Sequence, residues 1–253
     1  MKGFNPCAII PVYNHGSTTK AVVENLLGKG LPVILVDDGS QEETKKALRE
    51  IIEQFNQCYL FTLERNLGKG GAVMFGLKEA FRLGFSHALQ VDADGQHDLG
   101  EIDLFIEESR NDQSAMICGY PVYDESVPKS RVWGRKIVIF FVSLETLSHD
   151  IVDAMCGFRV YPLDITNRLI TRKHLKKRME FDIEILVRLH WMGLKLKFYP
   201  VKVIYPENGI SHFRMFHDNV AISAVLIMLN TGMVLRFPVI LWKKFFRKNE
   251  VSL

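Results

Sequence analysis

The first 92 residues alternate between short apolar runs and longer segments with helical periodicity. The apolar runs have the length of strands, and the segments between them have the spacing of helices. The runs cover residues 7–11, 32–37, 59–63 and 87–92, and the helical segments cover 17–27, 42–55 and 70–83. Strands that are apolar on both faces must be covered by helices on both sides. The alternation predicts an α/β fold with a mostly parallel, Rossmann-like sheet and helices on both faces.

Polar residues follow each of the four predicted strands. The pairs are Tyr13 with Asn14, Asp37 with Asp38, Arg65 with Asn66, and Asp92 with Asp94. The carboxyl ends of parallel strands meet at one edge of a sheet, where ligands bind in folds of this kind. Each pair alone is also compatible with an ordinary turn. Four pairs at four strand ends favour a single shared binding site.

Composition narrows the class of protein. The 253 residues suffice for one large α/β domain with a short appendage, and 47% apolar with 24% charged residues is typical of a folded globular chain. The net charge of +3 is small, so no nucleic-acid partner is predicted. The four cysteines form no C-x-x-C pair, which indicates buried thiols in a reducing compartment rather than a zinc or redox site.

The segment Asp92-Ala93-Asp94 carries the strongest chemical signal. Two carboxylates separated by one residue at a strand end can approach the same hard cation, and Gln96 can add a neutral oxygen. We therefore predict a Mg²⁺ or Mn²⁺ cofactor held by Asp94 and Gln96, with Asp92 as a further ligand or a nucleotide contact. Such a cation neutralises the charge of a diphosphate leaving group. The alternative is a surface loop that happens to be acidic.

Two other segments point to a nucleotide. A carboxylate at Asp38 can accept a hydrogen bond from a base or a ribose hydroxyl. The competing interpretation makes Ser40 the N-cap of the next helix, with Glu43 three residues later. The glycine-rich segment around Lys69 resembles a phosphate loop without P-loop spacing, and an ordinary turn at a helix start describes it equally well.

Five motifs in order resemble family 2 glycosyltransferases, and in particular the dolichol- and polyprenyl-phosphate mannosyl- and glucosyltransferases. They are Pro11-Val-Tyr-Asn, Val36-Asp-Asp-Gly-Ser, Arg65-Asn-Leu-Gly-Lys-Gly, Asp92-Ala-Asp-Gly-Gln-His-Asp and Cys156-Gly-Phe-Arg. The resemblance extends from about Ala8 to about Arg214. It implies a GT-A fold, an inverting metal-dependent reaction and a UDP- or GDP-sugar donor.

The resemblance also implies roles for individual residues. Those expected to hold the nucleotide-sugar are Pro11, Tyr13, Asn14, Val36, Asp38, Asn66, Lys69, Asp92, Ala93 and Asp94. Asp153 matches an acidic position near the sugar and the acceptor. The chain departs from the family pattern at His15, at Gly119-Tyr-Pro and in the loop that ends at Arg214. Because an expected phosphate-binding arginine is missing after Gly119, its role passes in this interpretation to Arg131 or Arg214.

The acceptor decides which catalytic groups are needed. A lipid phosphate is largely ionised at neutral pH and needs cations, for which Arg131, Arg135, Lys136 and Arg214 are candidates. A hydroxyl needs a general base, for which Asp153, Asp182 and Glu184 are candidates. We predict transfer to a lipid-linked acceptor, polyprenyl phosphate. Transfer to a hydroxyl of a glycolipid or other membrane lipid is the first alternative, and a non-catalytic nucleotide-sugar or lipid-binding protein is the second.

The predicted transferase domain covers residues 1–218, and the segment 219–253 is apolar and then basic. A spanning helix needs roughly 20 mostly apolar residues, and Asn230, Gly232, Arg236 and Pro238 interrupt this run. The pattern favours amphipathic helices lying on an anionic membrane surface. The alternative is packing against the domain or against a second subunit in a homo-oligomer. The beginning of the chain shows no signal-peptide pattern, so we expect a peripheral protein on the cytoplasmic face of a membrane.

Overall fold

The computed structural model describes residues 3–95, 99–122, 129–202 and 215–249. For residues 129–131, 215 and 239–249 it describes the backbone alone. Two of the predicted site residues, Gln96 and Arg214, therefore lie outside the described residues, as does the side chain of Arg131.

The described residues form a seven-stranded sheet in the order β3-β2-β1-β4-β6-β5-β7. The strands are β1 (Pro6–Val12), β2 (Val33–Asp37), β3 (Cys58–Thr62), β4 (His87–Gln90), β5 (Ala115–Val122), β6 (Arg159–Pro162) and β7 (Lys195–Lys202). Strand β6 runs antiparallel to β4 and β5, and the other neighbouring strands are parallel. The prediction of a mostly parallel sheet is confirmed.

Helices cover both faces of the sheet, as predicted. They are α1 (Gly16–Gly28), α2 (Glu42–Gln54), α3 (Lys69–Arg82), α4 (Ile102–Asn111), α5 (Lys129–Thr146), α6 (Leu163–Arg172), α7 (Phe181–Trp191) and α8 (Met215–Asn249). A short 3₁₀ turn, Leu99–Glu101, precedes α4. Helices α1, α2 and α4 bury their apolar side chains in one core, and α3 and α5 to α8 bury theirs in the other.

Alternation along each strand supplies both cores. On β1, Ile9 faces the α3 side and Ile10 faces the α1 side, and both side chains are fully buried. Burying one such aliphatic side chain contributes about 1.5–3 kcal/mol. A Cβ at Gly76 would lie 2.6 Å from Ile9 Cγ2, so glycine lets α3 lie close against β1. The sheet is thus held from both sides, with its carboxyl edge left for the polar loops.

Residues 119–136 depart from the sequence-based expectation. Their pattern predicts a loop that leads into a helix, whereas β5 continues to Val122 and α5 begins at Lys129. Residues 119–122 pair with 199–202 of β7. This long-range pairing has no local signature, because Gly119 and Pro121 favour a turn when the sequence is considered alone.

The C-terminal segment is one helix, α8, and the expectation of more than one helix is wrong here. It has 35 residues and contains Pro238. The buried side chains of Ile222, Val225 and Leu229 join the core formed with α5 and α7. The stretch Phe216–Pro238, 23 residues with a mean hydropathy of 1.8, is long and apolar enough to cross a membrane, and 22% of it is buried. The division at residue 218 stays a prediction, since α8 begins before it.

Candidate active site

The loops after β1 and β2 are joined by Asn14. Its backbone N–H donates to Ser40 Oγ at 3.1 Å, and its Oδ1 accepts from the Gln41 N–H at 2.9 Å. Asn14 has φ +58°, a left-handed conformation that asparagine adopts more readily than most residues. Gln41, and not Ser40, is the N-cap of α2, so the helix-cap interpretation of Ser40 is wrong.

Pro11 and Val36 are register partners on β1 and β2. The Val36 side chain is fully buried in the core beside Gly76, so it offers no surface to a nucleoside. Tyr13, two residues after Pro11, is exposed at the edge. Of the residues predicted around the nucleoside, Tyr13 therefore has accessible surface and Val36 does not.

Asp38 lies beneath this edge and is nearly completely buried. Its Oδ1 accepts from the Leu67 N–H at 2.6 Å, and its Oδ2 accepts from the Gly68 N–H at 2.8 Å. Burial raises the pKa of Asp38 above its usual value, and the two backbone N–H groups oppose that shift. Asp38 thus fastens the end of β2 to the start of α3, a structural role that the sequence did not indicate. Its contact with a nucleoside stays a prediction.

The loop that carries Asp38 crosses the loop after β3 at Gly39. The φ of Gly39 is +71°, and a Cβ there would lie 2.7 Å from the Asn66 backbone nitrogen. Both the conformation and the close approach require glycine. This crossing places Asn66, a predicted donor-site residue, directly beside the β2 edge.

Lys69 is the centre of the site's charge. Its Nζ lies 2.8 Å from Asp92 Oδ2 and 3.5 Å from Asp182 Oδ2. Burial by itself would lower the pKa of Lys69, but the carboxylates of Asp92 and Asp182, with a contribution from Asp94, raise it above its usual value. The side chain therefore stays charged and joins the start of α3 to the end of β4 and the start of α7.

The glycines around Lys69 accommodate protein and not phosphate. A Cβ at Gly70 would collide with Phe181, and the Gly71 N–H donates to the Lys177 carbonyl at 2.8 Å. The backbone start of α3 is thus covered by the segment that leads into α7. The phosphate-loop interpretation is wrong for this turn, and Lys69 takes part in the site through its side chain.

The acidic segment after β4 is held by a contact that the sequence did not reveal. Ala93 is buried, and its carbonyl accepts from Thr18 Oγ1 of α1 at 2.6 Å. Its neighbours Asp92 and Asp94 are half-buried. A Cβ at Gly157 would lie 2.8 Å from Lys69 Nζ and 3.5 Å from Asp92 Oδ2. Glycine at this position of the Cys156-Gly-Phe-Arg motif therefore leaves room for the ion pair.

Arg159, from the same motif, is completely buried beneath the site. Its Nη1 donates to the Asp182 carbonyl at 2.7 Å and its Nη2 to the Ala154 carbonyl at 2.8 Å. Asp182 also faces it through a carboxylate oxygen at 4.0 Å. Arg159 thereby fixes the segment around Asp153 relative to α7. Sequence reasoning included Arg159 in a motif but assigned it no role.

Asp153 is buried and its oxygens are engaged. One oxygen is ion-paired with Arg135 of α5, and the other accepts from the backbone N–H groups of Met155 at 2.9 Å and Cys156 at 2.6 Å. Glu184 is also buried, with its oxygens bound to Arg188 Nε at 2.8 Å and the Lys176 N–H at 2.7 Å. Glu184 is therefore a structural residue, and its candidacy as a base is wrong.

The residues at the β4 end fit a hard divalent cation. Within the described ranges, no group of three histidine, cysteine or acidic side chains forms a complete metal cage. A Mg²⁺ or Mn²⁺ site that is completed by substrate phosphates needs one or two protein carboxylates. Asp94 would supply one, and Asp92 would supply a second whose charge is shared with Lys69. The donor set thus suits a cation that binds together with a diphosphate.

A mostly parallel sheet with an acidic pair after its fourth strand is the arrangement of GT-A glycosyltransferases. The chain matches the glycosyl transferase family 2 over residues 7–177, which is more than half of its length. The protein belongs to this family and is a glycosyltransferase.

Two relatives with dolichyl-phosphate transferase names indicate the branch. The UDP-N-acetylglucosamine–dolichyl-phosphate N-acetylglucosaminyltransferase of Methanococcus voltae is 28% identical over 243 residues, covering 90% of this chain and 96% of the relative. The dolichyl-phosphate beta-glucosyltransferase of Dictyostelium discoideum is 25% identical over 256 residues, covering 93% of this chain and 75% of the relative. The predicted resemblance to the dolichol-phosphate branch is confirmed.

A solved structure confirms the GT-A fold. Glucosyl-3-phosphoglycerate synthase from Mycobacterium tuberculosis, in complex with Mn²⁺ and UDP-glucose, superimposes with a TM-score of 0.67 at 13% identity. The match covers 91% of this chain and 79% of the synthase.

Proposed function

We propose that this glycosyltransferase moves a sugar from a UDP- or GDP-sugar to polyprenyl phosphate, with Mg²⁺ or Mn²⁺, on the cytoplasmic face of a membrane. The observation that carries the proposal is the arrangement at the carboxyl edge. Lys69, Asp92 and Asp182 meet there, and the Asp153–Arg135 pair connects the adjoining segment to α5. The dolichyl-phosphate relatives support the choice of acceptor.

The donor half of the site follows from the β1, β2 and β4 ends. Tyr13 and Asn14 border the nucleoside position, and Asp38 keeps the adjoining loop in place. Asp94 and Asp92 would hold the cation, with Gln96 as the further predicted ligand. The cation supplies charge neutralisation for the departing nucleoside diphosphate. Lys69 holds Asp92 in a fixed orientation, so the carboxylate need not reorganise when the donor binds.

The acceptor half favours a phosphate over a hydroxyl. A hydroxyl must lose its proton to a base, whereas a phosphate monoester is already ionised and needs only cations and positioning. Asp153 is committed to Arg135 and two backbone N–H groups, and Asp182 to Lys69. With both candidate bases engaged, an ionised oxygen on the acceptor is the better nucleophile. In this proposal Asp153 and Asp182 position their cationic partners, and Arg131 and Arg214 are the proposed phosphate contacts.

Two helices support a membrane location. Helix α5 exposes Trp133 (67%), Ile137 (52%) and Phe140 (59%) along one side, and α8 exposes Ile227 (69%) and Leu235 (80%). The two helices pack against each other, and Ile137, Ile227 and Leu235 line one apolar groove between them. Exposed apolar surfaces of this extent mark interaction sites. Basic residues follow in the sequence at the end of α8, where an anionic membrane would attract them.

Product analysis tests the proposal. The purified full chain is incubated in neutral detergent with Mn²⁺ or Mg²⁺, a panel of UDP- and GDP-sugars, and either polyprenyl phosphate or a glycolipid. We expect a lipid product that releases its sugar in mild acid, as a sugar phosphate ester does. An acid-stable glycoside would establish the hydroxyl alternative, and no turnover of any donor would establish the non-catalytic one.

A further inference from the structure

A cationic cavity lies between α7 and α8, away from the carboxyl edge of the sheet. Its volume is about 480 Å³, and its lining includes Arg188, Trp191, Gly232, Leu235 and Arg236. Trp191 ends α7, whereas Asp182 lies at its start. At 1.5 Å per residue these two positions are about 13 Å apart along the helix axis. The cavity is therefore separate from the transfer site.

The Trp191 side chain lines this cavity and is held in place by its neighbours. Its Nε1–H donates to the Glu145 carbonyl of α5 at 2.9 Å. A Cβ at Gly232 would lie 3.2 Å from Trp191 Cη2, so the small residue lets α8 approach the ring. One helical turn later, the Arg236 guanidinium stacks over the ring, 4.8 Å from its centroid. Such stacking orients a guanidinium and leaves its N–H edge available for hydrogen bonds.

The cavity has an excess of positive charge. Arg188 donates through Nε to the Glu184 carboxylate at 2.8 Å, which offsets one of the two guanidinium groups. Over the described ranges, no carboxylate lies within ion-pair distance of Arg236. An arginine that lies over an aromatic ring without a counter-charge from the described residues fits an anion from outside the chain. Its planar fork is well matched to phosphate oxygens.

An apolar groove adjoins the cavity. It has a volume of about 590 Å³, lies between α5 and α8, and is lined in part by Ile137, Phe141 and Ile227. Thr231 and Leu235 line both spaces, so the cationic cavity opens onto the apolar groove. A ligand that occupies both must carry an anionic group at one end and an apolar chain at the other.

We propose that the α7–α8 cavity binds the phosphate headgroup of an anionic membrane phospholipid, whose acyl chain lies in the α5–α8 groove. This lipid is not the sugar acceptor, because its phosphate lies at the end of α7 that is remote from Asp182 and Asp92. Its role is to hold α8 against α7 at the membrane. The inference rests on the proposed membrane contact of α8 and is independent of sugar transfer.

A titration of the full chain in neutral detergent tests the site. Phosphatidylglycerol, phosphatidylcholine and inorganic phosphate are added separately, and tryptophan fluorescence and the melting temperature are followed. We expect saturable binding and a raised melting temperature with phosphatidylglycerol, and weaker binding of the other two. Arg236→Gln should weaken phosphatidylglycerol binding by about tenfold, the loss expected for one charge-assisted contact.

Two variants make the result specific. Arg172→Gln removes an exposed arginine charge at the end of α6, away from the cavity, and should leave lipid binding unchanged. Arg236→Lys keeps the charge and the packing of the stem, so it should retain the preference for phosphatidylglycerol whether or not Arg236→Gln folds. Equal binding of phosphatidylglycerol by wild type and Arg236→Gln, or loss of the preference in Arg236→Lys, would overturn the proposal. Inorganic phosphate binding as tightly as the lipid would overturn the acyl-chain part. Neither outcome depends on a donor or an acceptor, so the proposed transfer is tested separately.

Discussion

The carboxyl edge of the sheet and the α7–α8 region handle charge in opposite ways. At the edge, one cation, Lys69, faces the carboxylates of Asp92, Asp182 and Asp94. In the α7–α8 cavity there are two guanidinium groups, and among the described residues only that of Arg188 is paired, with the carboxylate of Glu184. An acidic excess suits a ligand that brings a metal ion, and a basic excess suits one that brings a phosphate. The contrast indicates that the two regions suit different ligands, and in our proposals these are the sugar donor with its metal ion at the edge and an anionic lipid in the cavity.

The largest expected effect comes from removing Asp94, the carboxylate that we propose binds the metal ion. Asp94→Ala should lower the rate of sugar transfer by about 100-fold or more, because the diphosphate loses its charge neutralisation. Initial rates at saturating donor and Mn²⁺ measure this. Asp164→Asn, at an exposed pair with Arg168, is the matched control and should transfer normally. Metal-dependent turnover by Asp94→Ala at the wild-type rate would remove Asp94 from the metal site.

The next effect tests whether Lys69 balances the acidic edge. Lys69→Met leaves Asp92 without its cation and leaves Asp182 with the Arg159 guanidinium at 4.0 Å alone. The change should destabilise the fold by about 2 kcal/mol, less than for a fully buried pair because Lys69 is partly exposed. Denaturant unfolding gives the change in free energy. Lys29→Met breaks the exposed pair with Asp103 and should cost well under half as much. Equal costs for the two variants would show that the Lys69 cluster is an ordinary surface pair.

A smaller effect distinguishes two reasons for glycine at position 39: its positive φ and the close approach of another backbone segment. Gly39 and Gly30 both have positive φ, at +71° and +73°, but a Cβ would meet the Asn66 backbone at Gly39 and nothing within 4 Å at Gly30. Gly39→Ala should therefore cost about 1–2 kcal/mol more than Gly30→Ala and should also raise the KM for the donor. Thermal unfolding and donor titrations of the two variants check this. A similar loss of unfolding free energy at both positions would mean that the loops after β2 and β3 can move apart without destabilising the fold.

The smallest effect concerns Glu145, which is buried where α5 meets α8 and accepts from Asn230 Nδ2 at 3.0 Å. Burial raises the pKa of Glu145 to about 8. The folded state therefore holds this proton more tightly than the unfolded chain, and stability falls as pH rises from about 4.5 to about 8. Glu145→Gln should add about 1 kcal/mol at pH 7 and flatten this dependence.

Unfolding measured across the pH range checks this last effect. Glu24→Gln, at an exposed pair with Lys20, is the control and should leave the pH profile unchanged. An unaltered profile in Glu145→Gln would show that Glu145 is ionised inside the helix junction.

Much of the carboxyl edge of the sheet could be predicted because its signals are local. Apolar runs, helical spacing and strand-end acids each occupy a few consecutive residues, and Asp38, Asp92 and Asp94 were located from them. The pairing of Lys69 with Asp182 could not be predicted, since the two residues are distant in the chain and meet only when α3 packs beside α7. The engagement of Asp153 by Arg135 and the burial of Glu184 are likewise products of packing.

The sequence alone determined the elements of the first half of the chain, the order of its motifs and the strand ends at which the acids lie. Periodicity and turn residues encode these features within single segments. Tertiary structure alone decided which carboxylates are neutralised, that β6 inserts antiparallel between β4 and β5, and that Arg236 stacks on Trp191. These depend on which distant segments come into contact, and that choice is made by the packing free energy of the whole chain and by no local pattern.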